Sequence, residues 1–339
     1  MKRLFALLSF LFVLTMVSCS SDPLDVDVSK IELPELQITR FDSVLAQADT
    51  NDVAGLRAKL RKEYGGFSDA FFQNVICNGY PDSLMCDAEL RRVLNDKDLR
   101  ELRKECLSRF TDLSATEKEL TQAFRYFRYH FPKRPLPKKV CAITTNFNFS
   151  FVHTDGVYGI SLDYFLGTNS KWYDAIQQPM FKRVRYNAEY IPAGFVGGWL
   201  LTEFPYNSEK NDVLNRIIYE GKLLYVSRAL LRDTPDSVLT GYSQRQLNWC
   251  EASEGSIWAA MIEEKLIYSE TEDDLNHMTA EAPFTAGFPR ESPGAVGRWT
   301  GWRIVQAYME RNPQTTLEQL MAISDAQVIL NKSKYKPRL

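Results

Sequence analysis

The sequence predicts an α+β domain, mostly α-helical, with a small antiparallel sheet at about residues 139–163 packed among the helices. Three observations carry that expectation. Apolar residues recur at helical spacing from Arg40 to Pro132 and again from Ile191 to Arg311. Between these stretches, residues 139–163 turn to β-branched and aromatic side chains, with Asp155-Gly156 as a hairpin signal between two runs. Composition is globular: 45% apolar, 25% charged and 12% aromatic over 339 residues, ample for a sizeable core.

The chain opens with an address. Lys2 and Arg3 precede an apolar run from Leu4 to Val17 that stops at Ser18-Cys19. As a helix this run spans about 21 Å, short of a bilayer core of about 30 Å. Met16-Val17-Ser18-Cys19 resembles a bacterial lipobox, so residues 1–18 read as a lipoprotein signal peptide and Cys19 as the acylated, palmitate-bearing anchor. Residues 19–34, polar and carrying two prolines, form a tether, and 35–339 a single domain. Ser20 resembles the outer-membrane sorting choice. Asp22, Asp25 and Asp27 are scattered rather than densely clustered, which favours the periplasmic face.

Within the domain, Asn51 or Asp52 caps a helix carrying Leu56, Leu60 and Tyr64, and Gly65-Gly66 ends it. Ser68 begins the next. From Asp87 to Arg109, Leu90, Leu94, Leu99, Leu102 and Cys106 mark two helices meeting near Asn95. Ser114 to Glu117 has capping-box spacing, ahead of a helix striped with Leu120, Phe124, Phe127 and Phe131. Pro132 stops it. After the strands, Gly167 returns the chain to helix, with segments at about 191–204, 208–231, 243–268 and 294–311. Pro313 closes the last of these, and two short helices follow.

A formal charge of −2, from 41 basic and 43 acidic residues, argues against a general nucleic-acid binder, which needs a basic surface. Cys77 and Cys86 are spaced for a bridge around a short loop, with buried free thiols as the other reading. No CxxC, GxSxG, GxxxxGK[ST] or GxGxxG is present, and no metal or cofactor is expected. His153 reads as a strand-end histidine beside a turn. Glu251 and Glu254, bracketed by Trp249 and Trp258, resemble a glycosidase carboxylate with stacking aromatics, or else a solvated pair beside core tryptophans.

The most distinctive stretch is ESPGAVGRWTGWRIVQAYMERNP, residues 291–313. Gly294, Gly297 and Gly301 lie at helical spacing, each at a cost of about 1 kcal/mol relative to alanine, so a close neighbouring helix is expected. Arg298, Trp299 and Trp302 are candidates to line a groove, with Arg298 paired to Glu291 or Glu220.

This stretch resembles the gliding-motility lipoprotein GldB family of Bacteroidota. So do IIYEGKLLY (217–225), GISLDYFLG (159–167), QLNWCEASEGSIWAAMIEEKLIYS (246–269), EAPFTAGFPRESPG (281–294), SKYKPRL (333–339) and FDSVL (41–45). The resemblance covers nearly all the mature chain in order. It implies an envelope lipoprotein associated with the gliding and protein-secretion apparatus, without established enzymatic activity.

A second resemblance bears on chemistry. A small sheet, a helix and a second helix with Glu220-Gly221 resemble zinc peptidases of the zincin type, in which HExxH on the first helix supplies two ligands and the base. Here the first helix reads IPAGFVGGWLLTEF, and the only histidines are His130, His153 and His277. The expectation is a degenerate, zincin-like scaffold without its metal. The sequence reading is therefore a non-catalytic accessory anchored to the membrane through Cys19 and working with an envelope protein. Glu220, Trp249, Trp258, Arg298, Trp299 and Trp302 are its candidate partner-binding residues. The alternatives are a peptidase-like hydrolase on that scaffold, or a peptide- or glycan-binding lipoprotein.

Overall fold

The computed structural model describes residues 24–77 and 83–337. The segment read from sequence as a signal peptide, Cys19 and the first part of the expected tether lie outside the described residues. The chain enters through a short strand, β1 (Ile38–Arg40), and then runs through six helices: α1 (Phe41–Ala46), α2 (Val53–Tyr64), α3 (Gly66–Phe71, prolonged by a π-turn at Phe72–Ile76), α4 (Ser83–Asn95), α5 (Lys97–Arg109) and α6 (Ser114–His130). Strands β2 (Lys139–Ile143), β3 (Phe151–Thr154) and β4 (Val157–Ser161) follow. The mostly helical class with one small sheet is what the sequence predicts.

The hairpin β3–β4 is antiparallel around Asp155-Gly156, both at positive φ. The sheet it belongs to is larger and mixed, in the order β1-β2-β4-β3, with β1, β2 and β4 parallel. Local sequence signals a hairpin. The parallel pairs instead join segments brought together by α1–α6 and by the β3 excursion.

Strand alternation divides the core in two. Cys141 and Ile143 face the first helical lobe, where Phe41 meets the rings of Tyr64, Phe67 and Phe71 edge-on. Val140, Ala142, Tyr158 and Ile160 face the larger core. A Cβ on Gly159 would lie 2.7 Å from Ile143 and 2.9 Å from Phe67, so only glycine lets the lobe close on the sheet there. A Cys77–Cys86 disulfide ties the π-turn to α4, and Cys106, Cys141 and Cys250 are free and buried.

The larger core is built by the remaining helices: α7 (Lys171–Ala175), α8 (Met180–Arg183), α9 (Ile191–Glu203), α10 (Val213–Leu230), α11 (Asp236–Thr240), α12 (Gln244–Ala252), α13 (Glu254–Glu263), α14 (Glu272–Thr279), α15 (Val296–Arg311), α16 (Leu317–Ala322) and α17 (Ala326–Ser333). The single segment read at 243–268 is two helices, α12 and α13, broken at Ser253.

Helix α10 is buried on nearly every side and crosses α15 in near-backbone contact. A Cβ on Gly301 would sit 1.8 Å from the Ile217 carbonyl oxygen, and one on Gly221 2.3 Å from the Gly301 carbonyl carbon. Gly297 faces Ile217 and Met278. Gly297 and Gly301 are thus explained by helix contact, as the sequence predicts, whereas Gly294 lies before the start of α15 and abuts the Ala282 backbone instead.

Asp52 caps α2 through the Gly55 amide (2.9 Å), also as expected. The capping box at Ser114 does not form. Asp112 accepts the Ser114 amide instead, and Glu117 reaches across to accept the Ile38 amide at 2.7 Å, joining α6 to the sheet's first strand.

Candidate functional site

A cleft of about 300 Å³ opens between the start of β3, α9, α10 and α11. It shares Arg185, Tyr190, Glu281 and Arg298 with an adjoining cleft of about 470 Å³, so the two form one continuous groove. Its floor comes from α9, where glycines permit close packing. Phe151 of β3 lies over Gly194, at which a Cβ would come within 2.8 Å of the ring. Gly197, one turn on, has open space where its side chain would be, and Leu201 continues the wall with 49% exposure.

Asp163 fixes the approach to β3. This fully buried carboxyl accepts the Ser161 hydroxyl (2.5 Å) and the Phe147 amide (2.9 Å). Those bonds hold a loop in which Asn146 and Phe147 both adopt positive φ, a conformation costly for non-glycine residues. Burial raises the Asp163 pKa in spite of the bonds that favour its charged form.

The polar end of the groove is organised from α15. Ala295 precedes this helix in the left-handed region and offers no side-chain cap. Thr285 caps it from a distance, since its Oγ1 accepts the Val296 amide at 3.0 Å and donates to the Pro293 carbonyl at 2.7 Å. The Tyr242 hydroxyl lies 3.0 and 2.8 Å from the Gly294 and Ala295 carbonyls, to which it donates.

This braced turn presents Arg298, whose Nε lies 3.4 Å from Glu220 Oε2 of α10. The separation makes an ion pair, yet Nε is buried without a hydrogen bond of proper geometry. Beside it Arg185 binds Glu281 at 2.7 Å. Burial works to raise the Glu281 pKa. The Arg185 hydrogen bond and the charges of Arg185, Lys182 and Arg298 outweigh it and bring the value below normal. Glu220 and Arg298, singled out from sequence, are therefore brought together at the groove.

The four tryptophans are not at the groove. Trp299 and Trp302 are 2% and 4% exposed and belong to the main core, so they cannot line a surface; the apolar area of two indoles on α15 is used for helix packing. Trp249 packs on the same core, and Trp258 meets Tyr335 edge-on at 5.2 Å. Glu251 is exposed, whereas Glu254 is half-buried and paired rather than solvated. It accepts from Arg303 Nε and the Tyr335 hydroxyl, each at 2.9 Å, tying the chain's end to α13 and α15. His153 is exposed at the sheet edge and stacks on Tyr158.

The groove residues include Glu220 and Glu281 but no histidine or cysteine. Among the described residues no three His, Cys, Asp or Glu side chains cluster as a metal site would require, and no helix is long and apolar enough to cross a membrane.

Fold and groove together define a mostly helical domain with a ligand-sized cleft beside an open sheet edge. Residues 21–337 match the family model described as gliding motility protein GldB, and the chain belongs to that family of cell-envelope lipoproteins. No curated protein and no solved structure matches it.

Proposed function

We propose that the protein is a non-catalytic accessory of the gliding-motility or a related secretion apparatus. In this reading it is anchored through Cys19 to the outer membrane, faces the periplasm, and holds an envelope partner in the groove between β3, α9 and α15. The observation that carries the reading is the groove itself. It is of ligand size, with an apolar wall through Leu201 and Phe151 and a polar end built on Glu220–Arg298 and Arg185–Glu281. Membership of the GldB family supplies the setting.

The test compares proteins retained by tagged full-length chain from intact envelopes with those retained by Gly197→Leu, which fills the groove at a position with open space. Selective loss of a retained envelope protein with unchanged melting supports the proposal. Identical retention by both chains overturns it, and stoichiometric zinc on the purified protein would overturn the non-catalytic assignment.

A further inference from the structure

We propose that the groove takes an extended, acidic peptide segment of its partner, which adds as a fifth strand to the open edge of β3. This deepens the groove-binding function above and rests on it.

The main chain supplies the first argument. Strand β3 lies at the edge of the sheet, next only to β4. In an antiparallel ladder opposed residues alternate between bonded and non-bonded pairs. The two-residue turn at Asp155-Gly156 makes Thr154–Val157 the closing bonded pair, and the Ser161 amide bonds the Ser150 carbonyl at 2.9 Å in the same phase. Phe151 and His153 therefore turn their amides and carbonyls away from β4. Among the described residues only the neighbouring Thr154 hydroxyl reaches one of these groups, the His153 carbonyl. Unpaired edges of this kind accept an added strand.

Space is the second argument. Phe151 lines the groove, and the surface beside it is the Ala193, Gly197 and Leu201 side of α9. Nothing lies within 4 Å of a Cβ built on Gly197, so a peptide backbone can approach the helix there. Leu201, exposed in the cleft beside β3, and Val184, exposed in the adjoining one, offer apolar contact to side chains of an inserted strand.

Charge is the third. Arg185, Arg245, Arg290 and Arg298 line the polar end, against Glu220, Glu281 and Glu291. Arg185 and Arg298 are engaged by Glu281 and Glu220, while Arg245 and Arg290 make no ion pair among the described residues. An incoming carboxylate completes that set, and an incoming lysine repels it.

The experiment pans a phage-displayed library of random nine-residue peptides against the full mature chain, with Gly197→Leu and the double variant Arg245→Ala/Arg290→Ala as counter-targets. Enriched peptides are then synthesised with and without alternate backbone N-methylation, and phosphatidylglycerol vesicles serve as a second ligand.

The proposal expects enrichment of Asp- or Glu-containing peptides. Their affinity should fall at least tenfold on Gly197→Leu, several-fold on the double arginine variant, and at least tenfold on N-methylation in one register only. Enrichment of peptides that bind Gly197→Leu equally, or that tolerate N-methylation in both registers, overturns it. So does groove-dependent vesicle binding without peptide enrichment. If Gly197→Leu abolishes partner retention but no peptide enriches, the groove serves a folded partner, and only the strand-addition proposal fails.

Discussion

Replacing Gly301 by alanine adds one methyl group where the α10–α15 crossing has no room. The new carbon would stand 1.8 Å from the Ile217 carbonyl oxygen and 2.4 Å from its carbon. Carbon contacts are comfortable at about 3.5–4.0 Å, so the helices must part by more than an ångström. Such a gap forfeits roughly a quarter to a half of each neighbouring contact, along an interface that includes buried Trp299, Trp302, Ile217 and Ile218.

Overpacking of this kind costs about 1–3 kcal/mol, and the lost contacts add on the order of another 1 kcal/mol. Helix propensity returns about 1 kcal/mol to alanine. The net destabilisation is then about 1–3 kcal/mol, and thermal unfolding followed by circular dichroism should show a melting temperature lower by roughly 2–5 °C for a domain of this size. Gly197→Ala on α9 is the matched control: it meets open space and should leave melting unchanged or raise it. Equal melting of Gly301→Ala and wild type would refute the claim that glycine is there for helix contact.

Burial and the charge of Arg232 lower the His130 pKa to about 4. The unfolded chain takes up this proton near pH 6.5, and the native chain only near 4, so stability falls as pH drops through that window, by at most about 3 kcal/mol. Denaturant midpoints across pH 4–7 should fall less steeply for His130→Phe than for wild type; parallel profiles would exclude the effect. The Cys77–Cys86 bridge closes a loop with a sequence separation of 9, worth roughly 2–3 kcal/mol. Dithiothreitol should therefore lower the melting temperature of wild type and leave Cys77→Ser/Cys86→Ser unaffected, and insensitivity of wild type would show that the bridge does not contribute. Cys19→Ser should abolish palmitate labelling and release the domain from membrane fractions; a variant that still pellets after a high-salt wash is anchored by something other than lipid.

The sequence made visible those features that rest on local spacing. Gly297 and Gly301 announce a helix contact because glycine inside a helix has a cost that close packing offsets, and Asp52 announces a cap because its carboxylate reaches the amide three residues on. Features that depend on distant segments are hidden. β1 is only three residues, and the parallel β2–β4 pair leaves no periodic trace distinct from a hairpin.

The capping spacing at Ser114 is real in sequence, but Asp112 and the Ile38 amide compete successfully for the same groups. The tryptophans misled for a related reason. An indole serves a groove and a core equally well, and only the neighbouring helices decide which. Glu220 and Arg298 could be named as a candidate pair, whereas Arg185, Glu281 and the Gly197–Leu201 face of α9 come from three distant segments, and nothing in their local spacing says that they meet. Thr285 was hidden too, since its capping role crosses to a helix eleven residues away.

The central claim, that the groove is the working surface, is tested most directly by site-specific photo-crosslinking in living cells. A photoreactive residue replacing Leu201, exposed in the groove, is compared with one replacing Ile262, which has similar exposure on α13 and lines none of the clefts described above. The account predicts one discrete adduct with an envelope protein from position 201, lost when Gly197→Leu is added, and none from position 262. Adducts of the same pattern from both positions, or an adduct at 201 that persists with Gly197→Leu, would contradict it.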